Sequence, residues 1–372
     1  MNNQTDEPVN ITYFFRRYKE LTENKEIPYN DIYHILDFIT PAVYEALLNK
    51  PFEPEDVCQI LAVDGQNIVG VIGCCFTNHI MANEDIIPVQ SGSYLFVKEE
   101  YRKYAIGGEL LMLYQKLHPS KNSIASGISK MALPLYKVLR YNLFEFPRFM
   151  FLIKSKSVLQ AILKLDGCLL TAISAITDAG LWIYRQLLFI YTDLKTRELK
   201  VEQTRTVPQQ VEKIVLSDKH LFKELHNREW FEWNLNYTFS KDERNKKALY
   251  LIKKRDEIIG FFITKTEFFE KASNRGFKNV YLGSVMEWGS KNEDMLSETK
   301  IHLLALKTFP SCIDGVQMAT ASAKTQRAFK RMGFAHVGDA NMAVFVKSVK
   351  KEEIKDINNW RIRLAASDTL IN

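Results

Sequence analysis

The sequence is poor in cysteine and lacks the spacings that build metal sites or disulfide frameworks. Its five cysteines are an odd set without a Cys-x-x-Cys pair: Cys58, Cys74, Cys75, Cys168 and Cys312. This usage excludes zinc-ribbon and dithiol redox motifs and is typical of reduced thiols in the cytoplasm. We therefore expect a cytoplasmic protein without a bound metal.

The chain also lacks a secretion signal and an uninterrupted apolar run. Its first ten residues, MNNQTDEPVN, have neither a basic start nor an apolar stretch, so no signal peptide is expected. The longest apolar region, Ile162 to Tyr191, is interrupted by four charges, Lys164, Asp166, Asp178 and Arg185. Each charge at the bilayer centre costs roughly 2.5–3.5 kcal/mol on insertion scales. We predict no transmembrane span, and a helical pair packed between domains, with peripheral membrane contact as the alternative.

Charge of one sign is not concentrated anywhere along the chain. The 372 residues include 50 basic and 44 acidic side chains, spread along the whole sequence, for a formal charge of +6. Nucleic-acid binding would call for a basic stripe with interleaved aromatic residues, so no nucleic-acid partner is expected. The small excess of positive charge suits an anionic ligand. Nothing in the pattern indicates an oligomeric state.

Apolar periodicity and turn signals divide the chain into two halves with one order of elements. Two amphipathic helices are expected within Asn10 to Leu48, followed by a hairpin that turns at Asp64–Asn67. A strand to Val97, a helix, a strand, a helix and a strand to Ile153 follow. From Ala248 the series of hairpin, strand, helix, strand, helix and strand recurs. We predict an α/β protein (α+β, three layers) in which each half has a mostly antiparallel central sheet flanked by helices.

The composition places the domain boundaries. Residues 1–155 form the predicted first domain, and 156–210 a helical connector that ends in the polar stretch Lys195 to Gln210. Residues 211–350, which open with a predicted helix from Leu221 to Leu235, form the second domain, and 351–372 a C-terminal tail. The duplicated order predicts that both domains share one fold.

A loop between a strand and a helix carries the strongest functional signal. It follows the strand that ends at Phe96 and Val97 and comprises Arg102, Lys103, Tyr104, Ala105, Ile106, Gly107 and Gly108. Small residues let a pyrophosphate approach the backbone, and the amides at the helix start bind its charge. The basic side chains of Arg102 and Lys103 add charge-assisted bonds. A plain strand-to-helix turn would use glycines in the same way, so the loop needs a second signal.

The segment Tyr136 to Tyr141, Tyr-Lys-Val-Leu-Arg-Tyr, supplies that signal. Together with Arg102-x-x-Ala105-x-Gly107, it resembles the GNAT superfamily of acyl-CoA N-acyltransferases, which pairs Arg/Gln-x-x-Gly-x-Gly/Ala with a later Tyr-x-x-Leu-Gly-Phe. Ala105 and Arg140 stand where the family has glycine, and Glu99 where it often has proline. The resemblance implies acetyl-CoA as the co-substrate of the first half.

The second half ends in a closer version of the later motif but lacks the loop. Ala328 to Phe334 reads Ala-Phe-Lys-Arg-Met-Gly-Phe, with Phe329 at the tyrosine position. The matching strand-to-helix junction has no Arg-x-x-Gly-x-Gly and carries Glu287, Glu293 and Asp294, which would repel phosphates. We expect a second GNAT-like domain without a cofactor site.

The resemblance implies direct attack of an acceptor amine on the thioester carbonyl. A backbone amide of Phe96 or Val97 would bind the oxyanion, and Tyr136 would protonate the departing thiolate. A buried helix aromatic is the other interpretation of Tyr136. His79 is a candidate base because a histidine pKa suits proton transfer near neutral pH, although such a histidine is more often structural, and water relayed through Ser91 or Ser93 is equally plausible.

The acceptor is open. A small primary amine is expected, with an amino sugar of surface polysaccharide assembly as one candidate by analogy. Trp230, Phe231 and Trp233 would suit sugar stacking, but their helical spacing favours a packed interface. Two alternatives stay open: a Fem-type aminoacyl transferase that uses tRNA, and a GNAT-derived binding protein without catalysis.

Overall fold

The first half of the chain alternates strands and helices in the predicted order. The computed structural model describes residues 10–23, 55–163, 167–237, 242–272, 277–347 and 349–364. The strands are β1 (Ile11–Arg17), β2 (Val57–Asp64), β3 (Asn67–Ala82), β4 (Asp85–Val97), β5 (Ser123–Ser126) and β6 (Asn142–Leu152). The helices are α1 (Tyr18–Thr22), α2 (Ile106–Gln115) and α3 (Leu133–Val138), and a 3-10 helix covers Glu99–Tyr104.

Two helices, α4 (Lys156–Leu163) and α5 (Gly167–Lys195), lead into the second half. Its strands are β7 (Leu199–Thr204), β8 (Phe222–Glu224), β9 (Lys246–Lys254), β10 (Glu257–Ala272), β11 (Phe277–Ser290), β12 (Gly315–Ala319) and β13 (Ala335–Phe345). Its helices are α6 (Gln209–Leu216), α7 (Arg228–Asn236), α8 (Glu298–Leu306), α9 (Ala323–Arg331) and α10 (Lys351–Lys355), with a 3-10 helix at Ile357–Asn359. The series from β9 to β13 repeats the series from β2 to β6.

Within the described residues, the strands of both halves join into one thirteen-stranded sheet. Its order is β1-β2-β3-β4-β5-β13-β6-β12-β11-β10-β9-β7, and β8 pairs with β3. Neighbouring strands are antiparallel except for two parallel pairs, β4 with β5 and β11 with β12. The turn predicted at Asp64–Asn67 joins β2 to β3, and Gly65 adopts a φ of 59° there, which glycine tolerates without strain. The predicted fold class, two mostly antiparallel α/β halves flanked by helices, is confirmed.

The halves exchange their last strands. β13 lies between β5 and β6, so that Met342 pairs with Ser126 on one side and Phe144 on the other. In the same way β6 lies beside β12, where Val316 pairs with Phe151. Each half therefore completes its sheet with a strand of the other half, which local periodicity does not encode. The boundaries at 155, 210 and 350 stay predictions.

The start of the first half differs from its prediction. Ile11–Arg17 is a strand rather than part of an amphipathic helix, and Tyr13 lies opposite Ala62 on β2. The segment is rich in β-branched and aromatic residues, which favour strands, and pairing with the exposed edge of β2 decided its structure. Only Tyr18–Thr22 is helical. The rest of the predicted helical region, residues 24–48, lies outside the described residues.

Two further elements differ from prediction near the start of the second half. The stretch predicted as a polar connector contains β7, an edge strand in which Val201 pairs with Ile252. The predicted helix from Leu221 begins only at Arg228, because Asn227 caps α7 by accepting a hydrogen bond from the Trp230 amide. Alternating polar residues suit an edge strand, since one of its faces remains in water.

Helix α5 is the one helix of the described residues that is long and apolar enough, by length and composition alone, to cross a membrane. Leu170 and Leu188 are buried against the rest of the protein. Its other large apolar side chains are mostly exposed, unlike those of an ordinary core helix.

Candidate active site

The two parallel strands of the first half separate after only two paired residues. Gln90 lies opposite Ser123, and Ser91 opposite Ile124, before β4 and β5 diverge. At this point the Tyr114 hydroxyl, on α2, donates a hydrogen bond to the Gln90 carbonyl at 2.6 Å and lies 3.1 Å from the Ile124 carbonyl. A buried phenol thus bridges both strands where their own hydrogen bonds end. Beyond this point β4 and β5 are no longer paired, and we call the place where they separate the gap.

The backbone of β4 alternates between facing β3 and facing this gap. The Lys98 amide donates to the Val69 carbonyl on β3 at 2.9 Å. Phe96, two residues earlier in the same antiparallel register, turns its amide the same way. Val97 faces the other way, and its carbonyl accepts a hydrogen bond from Arg102 Nε at 3.2 Å. Of the two backbone donors predicted from the sequence, the Val97 amide is therefore the one directed toward the gap.

The predicted loop forms a helix start beside the gap. Ala105 has φ 58° and ψ 14°, the left-handed conformation, and separates the 3-10 helix from α2. Its carbonyl accepts a hydrogen bond from the Gly108 amide at 2.9 Å. Within the described chain no side chain caps this helix start. The amides of Ile106 and Gly107 lie in the first turn, where a helix offers its N–H groups no backbone acceptor. Such amides, at the positive end of a helix, suit a phosphate.

Gly107 brings the loop, the strand and α3 together. A Cβ atom at this position would lie 3.4 Å from Leu135 and 3.6 Å from the Val97 side chain, both ordinary contact distances. Gly108 likewise faces Leu135. The glycines therefore leave open a space that a side chain would fill, between the end of β4 and α3.

The charges around the loop are mixed but basic at its centre. Arg102 and Lys103 are exposed, and Lys103 Nζ lies 4.9 Å from the centroid of the Tyr104 ring. Glu109, in the first turn of α2, accepts a hydrogen bond from the Tyr13 hydroxyl on β1. The acid in the first turn of α2 is thus engaged by a neighbouring strand, and the two basic residues of the loop are exposed at the surface.

Tyr136 lies on α3, one residue from Leu135, and is 5% exposed. Its ring packs edge-on against Tyr141, with 4.9 Å between the ring centroids. The Tyr141 hydroxyl is 2.6 Å from Ser123 Oγ on β5, and burial raises the pKa of that phenol above its ordinary value. The helix that carries the predicted acid is therefore anchored to the strand that forms one wall of the gap.

The other candidates lie apart from the loop. His79 is exposed and pairs with Pro88, on the far side of the point where the strands separate. Partial burial lowers its pKa, and the neighbouring charge of His118 adds to the effect. Ser91 lies at the separation point itself, and its fully buried hydroxyl has no hydrogen-bond partner among the described residues. The side chain of Ser93 is not described.

Metal ligands are not grouped in the described parts of the chain. No cluster of three or more histidine, cysteine, aspartate or glutamate side chains within them could hold a metal ion.

The second half forms the equivalent gap, but its own C-terminal segment fills it. β11 and β12 separate after Ser284, and the Lys291 amide donates to the Ile259 carbonyl as Lys98 does to Val69. The Trp288 carbonyl, inside the gap, accepts hydrogen bonds from Arg361 Nη2 at 2.7 Å and Arg363 Nε at 3.1 Å. Two arginine side chains thus lie where the first half is open. Sequence reasoning missed them, because the tail gives no local signal of where it binds.

The same arginines belong to a buried network of charged groups. Glu287, which is fully buried, accepts hydrogen bonds from Arg361 at 2.5 Å and from His226 at 2.7 Å. Burial opposes ionisation of Glu287, but Arg361 and His226 outweigh it and lower its pKa to about 2. Burial likewise disfavours the charged form of His226, yet its bonds to Glu224 and Glu287 raise its pKa. The negative charge of the glutamate predicted to repel phosphates is thus balanced by buried cations inside the protein.

The aromatic cluster predicted near Trp230 belongs to the core. Phe231 is fully buried, and Trp230 and Trp233 are 9% and 6% exposed. The Trp230 ring stacks on His226 with 3.6 Å between centroids. The packed role is confirmed for these residues.

Comparison with known proteins identifies the fold. No protein-family model matches the chain, and no curated protein matches its sequence. Among solved structures, N-myristoyltransferase from Saccharomyces cerevisiae with bound myristoyl-CoA aligns with a TM-score of 0.58 and 14% identity, over 96% of this chain and 86% of that one.

A second similar structure is a GCN5-related N-acetyltransferase from Anabaena variabilis. It aligns with a TM-score of 0.53 and 10% identity, over 91% of this chain and 73% of that one. The chain therefore has the GNAT fold of the acyl-CoA N-acyltransferases, with two GNAT-like halves in tandem.

Proposed function

We propose that this protein is an acyl-CoA-dependent N-acyltransferase whose single acyl-CoA site lies in the first half. One observation carries the proposal. The pairing of β4 with β5 ends at Ser91, and Gly107, at the uncapped start of α2, lies beside Val97 at the end of β4, so that a strand edge and a set of helix amides are brought together. The N-acyltransferases that share the fold support the same activity. The filled gap of the second half supports a single site.

The residues of the first half fit the parts of an acyl-CoA. The amides of Ile106 and Gly107 would hold the pyrophosphate, with charge from Arg102 and Lys103. The pantetheine arm would run along β4, where the Val97 amide and carbonyl offer a donor and an acceptor. To bind there, it would displace the Arg102 side chain from that carbonyl. The Ser91 hydroxyl is buried where β4 and β5 separate and has no hydrogen-bond partner among the described residues. A polar atom of the bound pantetheine arm would supply that partner.

The proposed reaction is direct transfer. The nitrogen of the acceptor amine attacks the thioester carbonyl, and the carbon–sulfur bond breaks. Tyr136 would give its proton to the departing thiolate, because α3 packs against the glycines of the loop. His79, whose lowered pKa favours the neutral form that accepts a proton, is one candidate to take the proton of the amine. Water relayed through Ser91 or Ser93 is the other.

The acceptor and the acyl chain are narrower proposals. We favour a small primary amine in the cytoplasm, with an amino sugar as the first compound to screen. Acyl length needs a separate measurement, because one similar fold carries myristoyl-CoA and another is named for acetyl transfer. A Fem-type transferase would take its acyl group from tRNA and would not need the loop at Arg102.

Calorimetry on the purified chain tests the site. Acetyl-CoA and a series of longer acyl-CoAs are titrated into wild type, Arg102→Glu and Lys116→Glu, the last an exposed lysine at the other end of α2. We expect binding to wild type, a loss of at least about tenfold in Arg102→Glu, and little change in Lys116→Glu. Absence of binding at millimolar ligand, or equal loss in both variants, contradicts the proposal.

Turnover then separates catalysis from binding alone. Release of free CoA is measured with a panel of amine acceptors for wild type and Tyr136→Phe. We expect the variant to keep its affinity for acyl-CoA while kcat falls by roughly 10²–10⁴, the usual contribution of a general acid. Binding without turnover with any amine would favour the non-catalytic alternative. Unchanged turnover in Tyr136→Phe would remove the tyrosine from the mechanism.

A further inference from the structure

Helix α5 is amphipathic, but its apolar side faces outward and its more polar side faces the protein. Three of its polar side chains face the protein: Ser174 and Thr192 are buried, and Asp178 accepts a hydrogen bond from the Ser155 amide at 2.6 Å. Its outward side carries an apolar stripe with helical spacing. We call this the outer stripe, and its large members, each 55–77% exposed, are Leu169, Ile176, Ile183, Leu187, Ile190 and Leu194.

The outer stripe is too long to be an incidental apolar patch. From Leu169 to Leu194 it extends over about 38 Å, at 1.5 Å per residue. Ala172 and Gly180, which continue the same spacing, are also exposed and add no polar atom. A helix in contact with water places its charged residues outward, so this face is built for an apolar neighbour.

The helix is packed along its length, and this excludes a spanning arrangement. Leu170 is buried near one end, and Leu188, in the other half, contacts the core beside Phe151 and Phe334. Asp193 is paired with Lys307 on the body of the protein. Crossing a bilayer would pull these contacts and the attached sheet into hydrocarbon. Only the outward face is available to lipid.

Charge identifies the neighbour as an anionic surface. The Tyr184 ring, at the edge of the outer stripe, meets the end of α9 at Gly333, where an added Cβ would lie 3.4 Å from its hydroxyl. Helix α9 contains no acid and exposes four cations: Lys324, Arg327, Lys330 and Arg331. Lys195 follows the stripe at its C-terminal end. Within the described residues, no ion pair joins any of these five cations to an acid.

The two acids of α5 do not offset this charge. Asp178 is engaged with the Ser155 amide and Asp193 with Lys307. A long apolar face bordered by unpaired cations is the surface that an in-plane helix presents to anionic phospholipid. A second copy of the chain would bring the same cations together across the interface and is disfavoured by that repulsion.

We propose that the outer stripe of α5 and the basic face of α9 bind the surface of a membrane that contains anionic phospholipid. The stripe lies in the plane of the interface, with its leucine and isoleucine side chains among the acyl chains. The cations lie at the level of the headgroups, where each strengthens binding by about fivefold.

Co-sedimentation with vesicles tests the proposal on the full chain. Vesicles of phosphatidylcholine alone, or mixed with phosphatidylglycerol, are compared at low and high salt. We expect binding to the mixed vesicles that weakens with salt, and at least about tenfold weaker binding for Ile183→Glu and Leu187→Glu. Ile86→Glu, an equally exposed isoleucine on β4, is the matched control and should bind as wild type. Lys330→Glu combined with Arg331→Glu should weaken binding only to the anionic vesicles.

Tryptophan fluorescence supplies an independent readout. Trp182 is 56% exposed at the edge of the stripe, whereas Trp230, Trp233, Trp288 and Trp360 are all 9% exposed or less. Phospholipids brominated on the acyl chain should therefore quench Trp182 selectively, and Trp182→Phe should abolish the quenching while preserving sedimentation. Absence of vesicle binding by wild type overturns the proposal. So does a stable dimer in solution that Ile183→Glu converts to a monomer, because the stripe would then be a protein interface.

Discussion

Arg140 and Gly333 occupy the same position in the two halves and share the same left-handed backbone, with φ of 62° and 67°. In each half the helix ends with two hydrogen bonds of the Schellman type. The Tyr141 amide donates to the Tyr136 carbonyl at 3.0 Å, and the Phe334 amide donates to the Phe329 carbonyl at 3.0 Å. The later motif is therefore a helix-ending device in both halves, and only the second half uses the glycine that this conformation favours.

Arg140→Gly should stabilise the protein. The left-handed conformation costs a side-chain-bearing residue about 1–2 kcal/mol, and the greater freedom of glycine in the unfolded chain returns part of the gain. We expect a net increase of about 1 kcal/mol in the free energy of unfolding, measured by urea denaturation. Lys137→Gly, in the last turn of the same helix, should lower it by a similar amount. Equal destabilisation by both substitutions would mean that the conformation of Arg140 is not strained.

Ala105→Gly, in the loop, should also stabilise the protein. Ala105 has φ 58° between the 3-10 helix and α2, where the family pattern has glycine. Relief of strain should raise stability by about 1 kcal/mol and tighten acyl-CoA binding, because the amides that follow become easier to orient. Calorimetry and urea denaturation measure the two effects. Ala179→Gly, an exposed position on α5, is the control and should only destabilise.

Gly92 and Tyr114 should be energetically coupled. A Cβ atom at Gly92 would lie 2.6 Å from the Tyr114 ring, closer than packed side chains tolerate. Gly92→Ala should therefore lower stability by about 1–3 kcal/mol and weaken acyl-CoA binding by moving the point where the strands separate. In a Tyr114→Ala background the same substitution should cost much less. Additive effects in this double-mutant cycle would contradict the contact.

Glu287→Gln should be strongly destabilising. The substitution removes the buried negative charge that Arg361, Arg363 and His226 face, and leaving such charges unpaired costs about 3–5 kcal/mol. Glu257→Gln, which disrupts an exposed pair with Lys291, is the control and should change stability by less than about 1 kcal/mol. A small effect at Glu287 would show that the arginines do not depend on it.

The stability of the protein should fall toward both acid and alkaline pH. The pKa of Glu287 is lowered to about 2, so its contribution is complete above its ordinary pKa of 4.5 and is lost as the pH falls from there toward 2. His226 has a raised pKa, so its contribution is complete below 6.5 and is lost as the pH rises through the folded value. Denaturation midpoints across this range measure both limbs. The loss of stability as the pH falls below 4.5 should be smaller in Glu287→Gln. An unchanged loss would show that other carboxyl groups cause it.

Local signals made much of the fold predictable. The hairpin turn at Gly65, the presence of a helix after the loop at Arg102 and the repeated order of elements depend on turn chemistry and periodicity within a few residues, although α2 begins at Ile106, three residues before the predicted start at Glu109. The same signals failed at Ile11–Arg17, where the apolar aromatic residues fit the periodicity of a helix as well as that of a strand. Pairing with the free edge of β2 made this segment a strand. The loop at Arg102 and the helix of Tyr136 could be found as motifs, whereas the role of Tyr114 at the separating strands could not.

The sequence by itself determined the two-half α/β plan, the loop from Arg102 to Gly108 and its order relative to Tyr136. Tertiary structure alone decided that β6 and β13 exchange places, that Arg361 and Arg363 fill the second gap, and that α5 turns its apolar side outward. The physical reason is the range of the interactions. Turns, caps and periodic faces are set by neighbours in sequence, whereas strand partners and buried charge pairs join residues tens to hundreds of positions apart, and pattern alone does not specify which of them meet.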